Sequence, residues 1–200
     1  TLRVAVENGR PAYRRSRSNE LVQIDDCFVA HPLMKDILAE GFFADTAEVT
    51  IRVGSRTGDR LVMGEPHAKN FRLPDDVKIV GKDQARKGAN AFIVEEAAGI
   101  DWKVSARSFF QSSPESAEIL TALAAEWLTV NDVGEQVLVD LYAGVGLFSG
   151  TVGDWFEKVT AVESSVSAAK DATHNLGPHV AIHRTQVERW LPELADVVIA

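Results

Sequence analysis

The run Val137-Leu138-Val139-Asp140-Leu141-Tyr142-Ala143-Gly144-Val145-Gly146-Leu147-Phe148 leaves the chain around it few ways to fold. A β-branched, apolar segment of this kind reads as a buried strand. It stops at two glycines one residue apart, which mark a tight turn. Glycine lets the backbone turn sharply there and lets a ligand approach the main chain. Leu147-Phe148-Ser149 then opens a helix whose first N–H groups face the same cleft. Strand, glycine turn and helix in succession build a nucleotide-type site at the carboxyl edge of a parallel sheet.

Two acids bear on which nucleotide fits. The dinucleotide pattern G-x-G-x-x-G fails, because Ser149 holds the third glycine position and Gly150 comes one residue late. Asp140 lies inside the strand, four residues before Gly144. A carboxylate at that place repels a pyrophosphate and suits the sulfonium and ammonium of S-adenosylmethionine. Glu163 ends the next apolar run, Val159-Thr160-Ala161-Val162, where an acid accepts both ribose hydroxyls of an adenosine. These residues favour S-adenosylmethionine. A dinucleotide, or a turn-capping Asp140 with a surface Glu163 and no ligand, stays open.

The rest of the second half follows the same alternation. Phe109-Phe110-Gln111 reads as the end of a core strand, with Gln111 exposed. Ser112 and Glu115 stand at capping-box spacing before a helix. Leu120, Leu123, Ala124, Trp127 and Leu128 are expected to line its buried face. After Glu163, Ser164 or Ser165 caps a helix bearing Val166, Ala169, Ala172 and Leu176, which Gly177-Pro178 stops. Val180-Ala181-Ile182 is the third strand, a short helix runs through Val187 and Leu191, and Asp196 to Ala200 is the fourth strand.

The first half reads differently. Asn8-Gly9 between alternating runs is a hairpin signal. Short strands are expected at Leu21–Ile24, Glu48–Val53, Leu61–Met63, Val77–Val80, Ala91–Val94 and Trp102–Val104, with one helix from Pro32 to about Gly41. Arg14, Arg15 and Arg17 cluster after the hairpin. They form either a solvated edge or a strip of bidentate phosphate contacts. Net charge is −8, which argues against a simple polyanion binder. Residues 1–110 hold 17 Lys+Arg against 16 Asp+Glu, and residues 111–200 hold 4 against 13, so the acidity belongs to the second half. Any RNA contact would therefore lean on local patches in the first. No apolar run approaches a membrane span. The single Cys27 forms no internal disulfide, which favours a reducing, cytoplasmic setting. Thr1 in place of Met suggests a start inside a longer protein.

Phe109-Phe110-Gln111, Val137 to Phe148, Glu163 and Asp196-Val197-Val198-Ile199-Ala200 together resemble the S-adenosylmethionine-dependent RNA uracil-C5 methyltransferases. Tyr13-Arg14-Arg15 and Ile24-Asp25-Asp26-Cys27 resemble the central domain of that family. The resemblance implies an α/β fold: part of a class I methyltransferase Rossmann-like sheet in residues 105–200, preceded by a smaller, mostly β (α+β) central domain in residues 1–104 with possible RNA contact. It implies that Gln111, Tyr142, Gly144, Gly146 and Glu163 line the cofactor site, beside Asp140, with Gln186 near the adenine. Leu147 departs from relatives with Asn there, which removes a polar contact. Cys27 matches one ligand position of an iron–sulfur cluster in some members. One thiol makes no cluster, and a buried structural Cys is the expectation.

The family continues past this point into D-P-P-R and then a catalytic Cys and an acid, so no catalytic residue is assigned here and the chain alone is expected to be inactive. Four strands in the order 3-2-1-4 fit between Val137 and Ala200, and the last would be an open edge prone to self-association. The implied substrate is a uridine in rRNA, or in tRNA. A non-catalytic RNA- or cofactor-binding module and a nicotinamide-dependent oxidoreductase are the competing classes.

Overall fold

In the computed structural model the described residues are 1–131, 137–192 and 194–200. The chain divides into two compact units, Thr1–Glu95 and Glu96–Ala200.

The first unit is built on a six-stranded sheet of order β3-β2-β1-β4-β5-β6. Its strands are β1 (Leu2–Glu7), β2 (Arg10–Arg14), β3 (Leu21–Gln23), β4 (Glu48–Val53), β5 (Arg60–Glu65) and β6 (Lys78–Gly81). The Asn8-Gly9 hairpin forms as expected: both residues take positive φ (52° and 77°), the twist that a two-residue turn between antiparallel strands requires. All pairings are antiparallel except the parallel β5–β6. A 3-10 turn at Pro32–Met34 leads into helix α1 (Lys35–Glu40), and Gly41 follows its last residue. Ile37, Leu38, Met34 and Phe43 pack with Val4, Val49, Ile51 and Val62 into one core. A short helix α2 (Lys82–Arg86) follows β6; it carries no buried residue, so no apolar period announced it.

The chain passes from one unit to the other within β7 (Phe92–Ala97), which pairs with β8 (Ile100–Ser105). This crossing lies ahead of the Val104–Ser105 junction read from the sequence. The physical reason is that β8 is hydrogen-bonded to the second unit's own helix: Lys103 and Ser105 bond Asn175 and Asp171.

The second unit holds a four-stranded parallel sheet of order β11-β10-β9-β12, from β9 (Val137–Leu141), β10 (Lys158–Val162), β11 (Val180–His183) and β12 (Val197–Ile199). This is the expected 3-2-1-4 arrangement. Helices α3 (Pro114–Asn131), α4 (Leu147–Thr151) and α5 (Val166–Asn175) connect or flank it. Leu138, Val159, Ala161, Val152 and Leu128 share its core.

Four local expectations are corrected. Phe109-Phe110-Gln111 is not a strand, and Phe109 is 72% exposed. The cap of α3 is Ser113, whose Oγ accepts the Ser116 N–H at 3.2 Å, rather than Ser112. Pro114 then takes the first helical position, where its missing N–H has no intrahelical partner to lose. The buried stripe of α3 runs through Ala117, Thr121 and Leu128, while Leu123 and Trp127 are exposed. Leu191 lies outside the 3-10 turn Val187–Arg189 and is 86% exposed. Among the described residues, no helix is long and apolar enough to cross a membrane.

Candidate functional site

The carboxyl ends of β9, β10 and β11 carry the candidate site. After β9 the backbone turns through Tyr142 (φ 57°), Gly144 (φ 59°) and Gly146 (φ 95°) before α4 begins. A side chain at Gly146 would be strained by that φ and would meet Leu176 at 2.7 Å. At Gly144 a Cβ would find nothing nearer than the Tyr142 carbonyl at 4.0 Å, so the main chain there borders open space.

Side chains fix this turn from three directions. Glu163, one residue past β10, accepts the Gly144 N–H at 2.9 Å through Oε2 and the Ser165 N–H through Oε1 at 2.5 Å. Asn175, the last residue of α5, donates through Nδ2 to the Val145 carbonyl at 3.0 Å and to the Lys103 carbonyl at 3.1 Å. Its Oδ1 accepts the Lys103 N–H at 2.9 Å. Asp140 accepts both the Ser149 N–H (3.0 Å) and the Ser149 hydroxyl (2.7 Å) on Oδ2.

Asp140 is 1% exposed. Burial pushes its carboxyl up to about 6; the two Ser149 hydrogen bonds oppose that shift, and the Glu163 charge adds to it. The carboxylate thus ties the first turn of α4 to β9, the turn-capping role among the alternatives left open by the sequence.

Tyr142 is 61% exposed, and its hydroxyl donates to Glu188 Oε1 at 3.1 Å. That carboxylate holds the phenol above its ordinary range. Gln186 is exposed, and its carbonyl accepts the Arg189 and Trp190 N–H groups. Gln111 is half-buried in the irregular segment ahead of α3.

That segment is anchored by Asp171 of α5, which accepts the Ser105 N–H (2.8 Å), the Ser105 hydroxyl (2.6 Å) and the Ser108 hydroxyl. Asn175, Asp171, Ser149 and Glu188 were missed in the sequence. The first two stand four apart at the polar end of α5, a weak signal; Ser149 was noted only as a broken glycine position.

In the first unit, Arg14, Arg15 and Arg17 are all exposed. Arg14 ends β2, Arg17 has φ 57° in the turn, and Arg15 Nε lies 3.2 Å from Glu20 Oε2. Cys27 is buried, and its Sγ accepts the Tyr13 hydroxyl at 3.2 Å. That bond holds the thiol below its ordinary range, while burial opposes it. Among the described residues, no three His, Cys, Asp or Glu side chains gather as a metal site.

Comparison with known proteins gives the following. No family model matches the chain. A protein of Streptomyces avermitilis named as an uncharacterized RNA methyltransferase is 31% identical over 201 residues, covering 92% of this chain and 46% of its own length. One of Streptomyces coelicolor with the same description is 30% identical over 202 residues, covering 92% and 43%. The chain thus spans about half the length of these relatives. Among solved structures it is similar to a Pyrococcus abyssi tRNA (uracil-54, C5)-methyltransferase in complex with S-adenosyl-L-homocysteine. The match has a TM-score of 0.71 and 20% identity, and it covers 100% of this chain and 57% of the other. At that identity the likeness establishes the fold: an α/β, Rossmann-like methyltransferase sheet preceded by a mostly β unit.

Proposed function

We propose that the second unit, Glu96–Ala200, forms the cofactor-binding part of an S-adenosylmethionine-dependent RNA methyltransferase that modifies C5 of a uridine in rRNA or tRNA. The first unit, Thr1–Glu95, forms its mostly β, RNA-contacting part. The observation that carries the reading is Glu163 at the end of β10, hydrogen-bonded to Gly144 in a turn whose main chain borders open space. The relatives named as RNA methyltransferases, and the structural neighbour held with S-adenosyl-L-homocysteine, support the same reading.

The residues fit that cofactor. A carboxylate oxygen has more than one lone pair, so Glu163 can keep its bonds to Gly144 and Ser165 and still accept ribose hydroxyls. The space beside Gly144 admits a ligand against the backbone. In this reading Gln111 and Tyr142 would line the approach to the cofactor, and Gln186 would stand on the adenine side. Asp140 serves by holding Ser149 and hence the turn, with its own charge kept from solvent. The bound cofactor supplies an electrophilic methyl group.

Uracil C5 becomes nucleophilic when a thiolate adds to C6, and a base later removes the C5 proton. The chain's one thiol, Cys27, lies in the first unit and accepts the Tyr13 hydroxyl, so it is not assigned that part. These 200 residues alone are therefore expected to bind cofactor without transferring methyl groups. Arg14, Arg15 and Arg17 would contact RNA phosphates. Calorimetry with S-adenosylmethionine, S-adenosylhomocysteine and NAD tests the reading. Binding of the first two is expected, and tight NAD binding with no response to either would overturn it.

A further inference from the structure

In sheet order, β9 and β11 flank β10 on either side. Register levels their ends: Leu141 and His183 both pair with Val162. Tyr142 follows β9 directly, Glu163 follows β10, and Glu188 sits in the 3-10 turn after β11. Strands in a sheet are about 4.8 Å apart, so β9 and β11 are separated by about 10 Å. A Tyr side chain and a Glu side chain meeting head to head cover that distance, and these two do meet, hydroxyl to carboxylate, at 3.1 Å. The bond therefore ties the turn after β11 to the end of β9, the two strands on either side of β10, whose own end carries Glu163 bonded to the glycine turn.

We infer that the Tyr142–Glu188 hydrogen bond is a latch across the candidate cleft, with Glu188 the positioning residue that holds the Tyr142 ring over its adenosine end. The inference rests on the S-adenosylmethionine reading above.

Three features support it. Tyr142 is a non-glycine residue at φ 57°, a conformation uncommon for a bulky side chain. That backbone fixes the direction in which the ring leaves β9. Glu188 is held in turn, because the Gln186 carbonyl accepts two N–H groups that close the short turn around it. Both partners are accessible, so the latch can open without disturbing the core. Glu188 would thus set how long an adenosine stays bound, while Glu163 below it makes the direct contact.

The test uses the full chain. It has two tyrosines, Tyr13 and Tyr142, so Tyr13→Phe leaves Tyr142 as the sole phenol for an absorbance titration. The midpoint is expected above the ordinary tyrosine range, and Glu188→Gln should return it toward that range. An unmoved midpoint overturns the hydrogen bond itself.

Calorimetry and stopped-flow binding of S-adenosylhomocysteine then test the latch. Tyr142→Phe and Glu188→Ala should each weaken binding about fivefold, mainly through faster release. The double variant should be no worse than either single, since all three remove one bond. Glu188→Gln, whose amide oxygen still accepts, should stay within about twofold of the parent. Additive losses, or affinities unchanged in both single variants, overturn the latch. If the parent shows the displaced phenol midpoint yet binds no S-adenosylhomocysteine, the cofactor reading falls and the latch across its site falls with it.

Discussion

Asp140→Asn should change the pH dependence of stability more than its value at any one pH. The carboxyl titrates at about 6 in the folded chain against 3.8 for an ordinary aspartate. Between those values the folded state holds a proton that the unfolded state releases. The contribution of Asp140 is therefore full below 3.8 and is lost as pH rises through about 6. At ~1.4 kcal/mol per pH unit, the total swing is about 3 kcal/mol. Asparagine cannot ionise, and its amide oxygen can still accept from Ser149. Other carboxylates titrate alike in both proteins and cancel in the difference. The stability of Asp140→Asn minus that of the parent should thus grow by about 2–3 kcal/mol from pH 4 to pH 7.5. Urea unfolding followed by tryptophan emission reads this out, since Trp102, Trp127, Trp155 and Trp190 all lie in the second unit with Asp140. A difference flat to within about 0.5 kcal/mol over that range would refute a desolvated carboxylate at Asp140.

Glu163→Ala should weaken S-adenosylhomocysteine binding by roughly 1–3 kcal/mol, because it removes a charged acceptor from the ribose and from Gly144; unchanged affinity in calorimetry would remove Glu163 from the site. Replacing Arg14, Arg15 and Arg17 together by Gln should lower RNA affinity and reduce the salt slope by about 2, at ~0.7 per single-strand phosphate contact. The Arg15–Glu20 ion pair makes the contribution of Arg15 the smallest of the three, and an unchanged slope would leave all three as a solvated edge. β12 ends the sheet order and Val198 is 57% exposed, so the chain alone should self-associate through this edge. Val198→Lys should shift the mass seen by light scattering toward monomer; a monomeric parent would refute this.

Strand-level organisation was legible because each parallel strand is a short, mostly apolar run rich in β-branched residues, and the hairpin carries Asn-Gly. The order 3-2-1-4 followed from the resemblance to a methyltransferase sheet, and the sheet bears it out. What escaped were polar contacts made at a distance in sequence. Nothing local marks Asn175 as the residue that bonds both Lys103 and Val145, or Asp171 as the acceptor for Ser105 and Ser108. The stripe of α3 was misplaced because large side chains were weighted over Ala117 and Thr121. Asp140 was read for its charge, whereas burial and Ser149 set its behaviour.

The Asp171 anchor bears on how this chain can change length. One carboxylate binds Ser105 twice and Ser108 once, so the two residues between them, Ala106 and Arg107, form a spacer of fixed size. An insertion or deletion there would pull one serine off Asp171 and shift Phe109-Phe110-Gln111 relative to the glycine turn. The exposed Arg15–Glu20 turn is held by bonds within itself, so length variation should collect there.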